Sequence, residues 1–163
     1  MSNNQYRLQA LLDIRERTKK DKEEALAEVK KKLQMEQQKA EDLRKQHQEM
    51  KDNRNRKQDE ITQQMQEGNL GINDFLNSER YIKRLDKGIE DFLDVIKEQD
   101  KVVVFAEQEV EWAFEEMLQA NQEFKALEKH KENWDEERKK EIAQKQALQQ
   151  EEIATTLYLF KDQ

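Results

Sequence analysis

Alternating steps of three and four residues from Phe75 pass through Ser78, Ile82, Leu85, Ile89, Phe92, Ile96, Gln99, Val103, Ala106, Val110, Ala113, Met117, Ala120 and Phe124 and reach Leu127. Fourteen of these sixteen positions are apolar, in one unbroken register. This is the spacing of a helix that lays a narrow seam against another helix. Chance phasing would not hold over so many turns.

The N-terminal half carries a weaker version of the same pattern. From Leu26 the steps reach Val29, Leu33, Glu36, Ala40, Leu43, His47, Met50, Arg54, Lys57, Ile61 and Gln64. Run backwards, they meet Lys22, Lys19, Arg15, Leu12 and Leu8, with Leu11, Ile14 and Ala25 on a neighbouring stripe. Between the halves sits E-G-N-L-G-I-N-D, Glu67 to Asp74. Gly68 and Gly71 end the first helix, and Asn73 or Asp74 is placed to cap the second. A short loop between long helices makes them antiparallel neighbours. The expectation is an all-α, antiparallel two-helix coiled-coil hairpin, one domain over residues 1–163. Helix one runs from about residue 4 to 66, the tip loop over 67–73, and helix two from about 74 to 160.

The loop also sets the pairing, because the numbers of facing residues should total about 140. Leu43 then lies near Ile96, Leu33 near Ala106, and Leu12 near Leu127 or Glu128. The start of helix one falls opposite the region just past His130, so the last part of helix two is an overhang with no partner in the chain. Its composition agrees. Past Leu127 the register meets Lys131, Trp134, Arg138, Glu141, Lys145, Leu148, Glu152, Thr155 and Leu159, mostly polar. At 1.5 Å per residue the expected product is a rod of roughly 90 Å plus an overhang of about 45 Å.

Composition narrows the function. Charged residues outnumber hydrophobic ones, 41% to 34%, and the mean hydropathy is −1.27, which leaves no material for a thick core. There is no proline and only three glycines, so long helix is favoured over disorder. The absence of cysteine excludes a disulfide scaffold and a Cys-based zinc site, and fits a reducing cytoplasm. No apolar run approaches the ~20 residues of a membrane span. The opening M-S-N-N-Q-Y-R-L has no signal-peptide core. A net charge of −7 disfavours a general nucleic-acid binder. A soluble cytoplasmic protein is expected.

No catalytic constellation is visible, and no cofactor is expected. His47 and His130 are too far apart under the pairing rule to share a metal. His47 should face Phe92 and Leu93 as a polar residue in the seam, and His130 should lie at the surface. The glycines are too dispersed for a phosphate loop. Arg15, Lys19 and Lys22 occupy the seam register itself, where cations are poor for self-packing and suit an acidic partner. Exposed Trp134, Leu148, Leu157, Tyr158, Leu159 and Phe160 on the overhang suggest a binding surface. Two residues resist explanation by folding, Tyr81 and Gly88, one heptad apart on one flank of the seam. Gly88, in R-Y-I-K-R-L-D-K-G-I, sits in mid-helix, where it costs about 1 kcal/mol relative to Ala.

Three stretches resemble a known family. Y-R-L-Q-A-L-L-D-I-R-E-R at the N-terminus, Y-I-K-R-L-D-K-G-I (Tyr81 to Ile89) after the tip, and H-K-E-N-W-D-E-E-R-K-K-E-I-A-Q-K-Q-A-L-Q-Q-E-E-I-A near the C-terminus occur in order and spacing similar to the type III secretion stalk proteins. These are the YscO-like proteins of injectisomes and the FliJ-like proteins of flagellar export. The H-K-E-N-W segment leans to the injectisome side. The resemblance implies a stalk similar to that of rotary ATPases, without catalysis of its own, at the cytoplasmic face of the secretion apparatus. It implies that the open end enters the pore of the hexameric export ATPase through Leu8, Leu11, Leu12, Arg15, Lys19, Trp134 and Arg138. It implies that the cytoplasmic domain of the export gate is met by Tyr81, Leu85, Gly88 and Phe92. Phe92 departs from the family's polar residue at that place and also lies in the seam. Some family members handle export chaperones. The alternatives are a self-associating coiled-coil scaffold and a prefoldin-like holdase. The short loop argues against both.

Overall fold

The computed structural model describes residues 5–161. Helix α1 spans Gln9–Gln66 and α2 spans Ile72–Lys161, and the two pack antiparallel against each other. No strand occurs among the described residues. The fold is an all-α helical hairpin. The expected start of helix one near residue 4 lies outside the described residues. The first helical residue is Gln9, because Tyr6 initiates a turn whose carbonyl accepts the Gln9 N–H at 3.0 Å.

The turn at the tip follows from the glycines. Gly68 has φ +71°, and two backbone bonds close around it: Asn69 N–H to the Gln64 carbonyl at 3.1 Å, and Gly68 N–H to the Met65 carbonyl at 3.2 Å. This pair of bonds, six-to-one and five-to-two, is a Schellman stop with Gly68 at the left-handed position. Helix α2 starts at Ile72, two or three residues earlier than Asn73 or Asp74 as a cap would allow. Gly71 precedes its first residue, and Asp74 sits in the first turn, where a carboxylate favours the helix dipole.

The helix contacts divide into two compact units. One is Ala25–Phe114, which contains the tip. Its seam buries Leu26, Ala40, His47, Ile82, Ile96 and Ala106. The alanines are the most covered, at 3% and 1% exposure, and no large side chain is fully enclosed. Two helices cannot wrap a bulky residue on all sides, so only short side chains disappear. Cross-helix partners fit numbers totalling about 140: Arg54 with Asp86, Arg44 with Asp100, and Lys32 with Glu109.

The second unit joins the chain up to Glu24 with that from Glu115 onward. Tyr6, Leu12 and Ala120 are its buried residues. Lys22 meets Glu116 at 2.9 Å, and Arg15 pairs with Glu123. The half-buried positions on α2 continue through Lys131, Trp134 and Arg138, and every described residue from Lys139 to Lys161 is exposed.

Candidate docking surfaces

Near the tip, Tyr81, Leu85, Gly88 and Phe92 follow one another at spacings of four, three and four along α2. They are not equally available. Leu85 and Phe92 are half-buried in the seam, and Phe92 lies flat against the His47 ring, centroids 6.0 Å apart and planes 8° apart. Tyr81 is 38% exposed and borders a groove of about 350 Å³ between the helices, with Lys57, Gln64 and Asn77 along it. Gly88 is half-buried, and a Cβ built there would stand 3.9 Å from the Met50 methyl, an ordinary contact. Packing therefore does not demand glycine at this position.

The tip seam is loosely filled for a chemical reason. On α1 the register passes from Met50 to Arg54, Lys57, Ile61 and Gln64. Arg54 turns aside to Asp86 at 2.8 Å instead of filling the interface. A second groove of about 350 Å³ opens there, between Arg54, Gln58, Phe75 and Ile82.

The open-end residues also separate. Leu8 and Leu11 are each 37% exposed, so both present apolar surface. Leu12 points into the seam at 7% exposure. The Arg15 guanidinium donates to Glu123, and the Lys19 ammonium stands 5.0 Å from the Phe124 ring centroid. The acidic partner that seam cations call for is, for Arg15 and Lys22, the facing helix of the same chain. Trp134 and Arg138 do meet, with the guanidinium 5.2 Å from the indole centroid.

Sequence reasoning passed over two features. Tyr6, within the N-terminal motif, anchors the first turn at 6% exposure. Its hydroxyl is hydrogen-bonded to His130 Nδ1, and its ring lies 5.5 Å from that of Trp134. The pairing rule contained the signal, since 6 and 134 total 140. His130 is exposed as expected, but it is not idle. The other feature is an exposed aromatic pair on α2, Phe105 and Trp112, edge to face with centroids 6.3 Å apart. Both fall outside the seam register, one heptad apart, which is the pattern that marks them.

Nothing here resembles a metal site: no group of three His, Cys, Asp or Glu side chains among the described residues is placed to hold an ion. No helix among them is long and apolar enough to cross a membrane.

The comparisons with known proteins agree with this architecture. No curated protein sequence matches the chain. A solved protein from Chlamydia trachomatis, described as a candidate YscO homologue, superposes with a TM-score of 0.80 at 24% identity, over 98% of each chain. That likeness establishes the shared fold. The family model for YscO-like proteins matches residues 3–163. The chain belongs to the YscO-like family, and with it to the proteins of type III secretion.

Proposed function

We propose that the chain is the central stalk of a type III protein export apparatus, docking in the pore of the hexameric export ATPase and linking it to the export gate at the cytoplasmic face. The observation that carries this reading is the helical segment Lys139–Lys161. It is exposed throughout and ends in Leu157, Tyr158, Leu159 and Phe160, an apolar cluster open to solvent. A helix that offers this much apolar surface is suited to a groove or channel in a partner.

Leu8, Leu11, Trp134 and Arg138 belong to the same unit as that segment and supply the remaining ATPase contacts in this reading. Leu12, Arg15 and Lys19 contribute through the hairpin, by holding the helix that presents Leu8 and Leu11. At the tip, Tyr81 is the accessible member of the gate-binding stripe, and Gly88 lets a partner come close to the backbone. Leu85 and Phe92 support the stripe from the seam.

The test is a pull-down of the full chain, and of a Leu157→Ser, Phe160→Ser variant, against the export ATPase and the gate's cytoplasmic domain from the same source. The variant should lose the ATPase and keep the gate. ATPase retention at the level of the unaltered chain would sink the open-end reading.

A second reading, an escort for export chaperones, is favoured by the exposed Phe105–Trp112 pair, which neither docking surface uses. Phe105→Ala, Trp112→Ala should then abolish chaperone capture while ATPase binding persists. Unchanged chaperone capture would discard it.

A further inference from the structure

The seam of α2 is nearly uniform in its apolar character, and a uniform heptad seam does not by itself choose a register. Sliding one helix past the other by seven residues sets apolar rows on apolar rows again. The tip is poorly placed to choose, since its α1 seam is polar and open grooves flank it. The ion pairs that cross the unit are exposed or partly exposed, and such pairs contribute little.

Two contacts in the middle of the tip unit differ from everything else in the seam. In each, a side chain of one helix donates to a main-chain carbonyl of the other. His47 Nε2–H, on α1, donates to the Ile89 carbonyl at 3.2 Å while its ring stacks on Phe92. Gln99 Nε2–H, on α2, donates to the Glu36 carbonyl at 3.0 Å and to Glu36 Oε2 at 2.6 Å. His47 is the buried polar residue of the described seam, at 8% exposure. Glu36 and Gln99 are polar interruptions of their respective stripes, and the Gln99 side chain reaches Glu36 across the seam from the neighbouring layer. A slip of one heptad would set Gln99 against Leu43 or Val29, which repeat the main-chain carbonyl but offer no side-chain acceptor, and would put Gln99 or Leu85 in place of Phe92 beside the His47 ring. Losing the carboxylate from a half-buried amide and the ring from a buried imidazole is costly, whereas an apolar layer is indifferent to which apolar layer it faces.

We propose that the Glu36–Gln99 side-chain pair and the His47–Phe92 stack form a register lock. They contribute little net stability, and they restrict the two helices of this unit to one axial alignment out of several that apolar packing would accept. A heptad slide of either sign removes both the Glu36 carboxylate from Gln99 and the Phe92 ring from His47.

The cysteine-free sequence allows a direct test by disulfide trapping. Leu43→Cys with Ile96→Cys reports the native alignment, and Leu43→Cys with Val103→Cys reports a slip of one heptad. In the unaltered seam the first pair should oxidise and the second should not. Adding Glu36→Leu, His47→Leu and Gln99→Leu should raise the rate of the slipped pair relative to the native pair at least about tenfold, with helicity kept. Glu36→Gln, which preserves an acceptor, should leave that ratio unchanged. A folded triple variant that still traps only the native pair overturns the lock. If the triple variant loses its helicity, Glu36→Leu with Gln99→Leu is read the same way. An unmoved ratio there overturns the proposal equally.

Discussion

Replacing Gly88 with alanine should make the protein more stable, and the size of the gain can be worked from the site. Gly88 lies deep inside α2, and its φ is not positive, since Gly68 is the described glycine with that conformation. A Cβ there meets only the end of the flexible Met50 side chain, at 3.9 Å, so it adds a contact without displacing anything. What remains is the helix propensity difference of about 1 kcal/mol in favour of alanine. For a chain of this length that is a rise of about 2–4 °C in the unfolding midpoint. The same change at Gly68 should have the opposite sign. The site is open, but φ is +71°, and a side chain in the left-handed region costs about 1–2 kcal/mol. Thermal and urea unfolding of both variants, followed by far-ultraviolet circular dichroism, gives the comparison. A Gly88→Ala protein that unfolds earlier than the unaltered one would refute the reasoning. Packing would then require the glycine after all, and its assignment to partner docking would lose its footing. A stabilised Gly88→Ala together with a Gly88→Leu that no longer binds the gate would instead show a residue kept at the expense of stability.

Tyr6→Ala should release the N-terminal turn from His130 and Trp134 and remove about 2–4 kcal/mol locally, read as faster hydrogen exchange at Gln9 to Leu12; Tyr6→Phe should cost only about 1 kcal/mol. Unchanged exchange in Tyr6→Ala would mean that the aromatic contact does not hold the turn. Tyr81→Ala should weaken gate binding with helicity intact, and undiminished binding would remove Tyr81 from the stripe. Leu8→Ala with Leu11→Ala should weaken ATPase binding while lowering the melting midpoint by no more than about 2–4 °C, because both side chains are partly exposed. A large loss of stability would show that they serve the fold instead.

The seam was readable because a helix pair is nearly one-dimensional. Once a period is found, burial follows from counting. All sixteen α2 positions from Phe75 to Leu127 are buried or half-buried, and so are their α1 counterparts from Leu12 to Ile61. The stop at Gly68 was readable because a Schellman turn asks for a residue that tolerates positive φ. The start of α2 is less legible in the sequence, because Gly71, not a side-chain cap, precedes the helix. The candidate sites were less legible. Leu12 and Leu11 are adjacent leucines, and only the three-dimensional register shows that one is buried and the other presented. Arg15 looked like a cation awaiting a foreign acid because its partner, Glu123, is more than a hundred residues away in sequence. Phe105 and Trp112 repeat at one heptad but outside the seam register, and following the seam alone passes over them.

The segment beyond Arg138 has one more consequence. Its helix is held by its own backbone bonds and by a few neighbours along the same face, with no second helix to protect them. Such a helix opens turn by turn, on a timescale far shorter than global unfolding. Its amide hydrogens should therefore exchange quickly in the free protein. Any partner that grips it must slow that exchange, and the residue at which slowing begins would measure how deeply the helix has been swallowed.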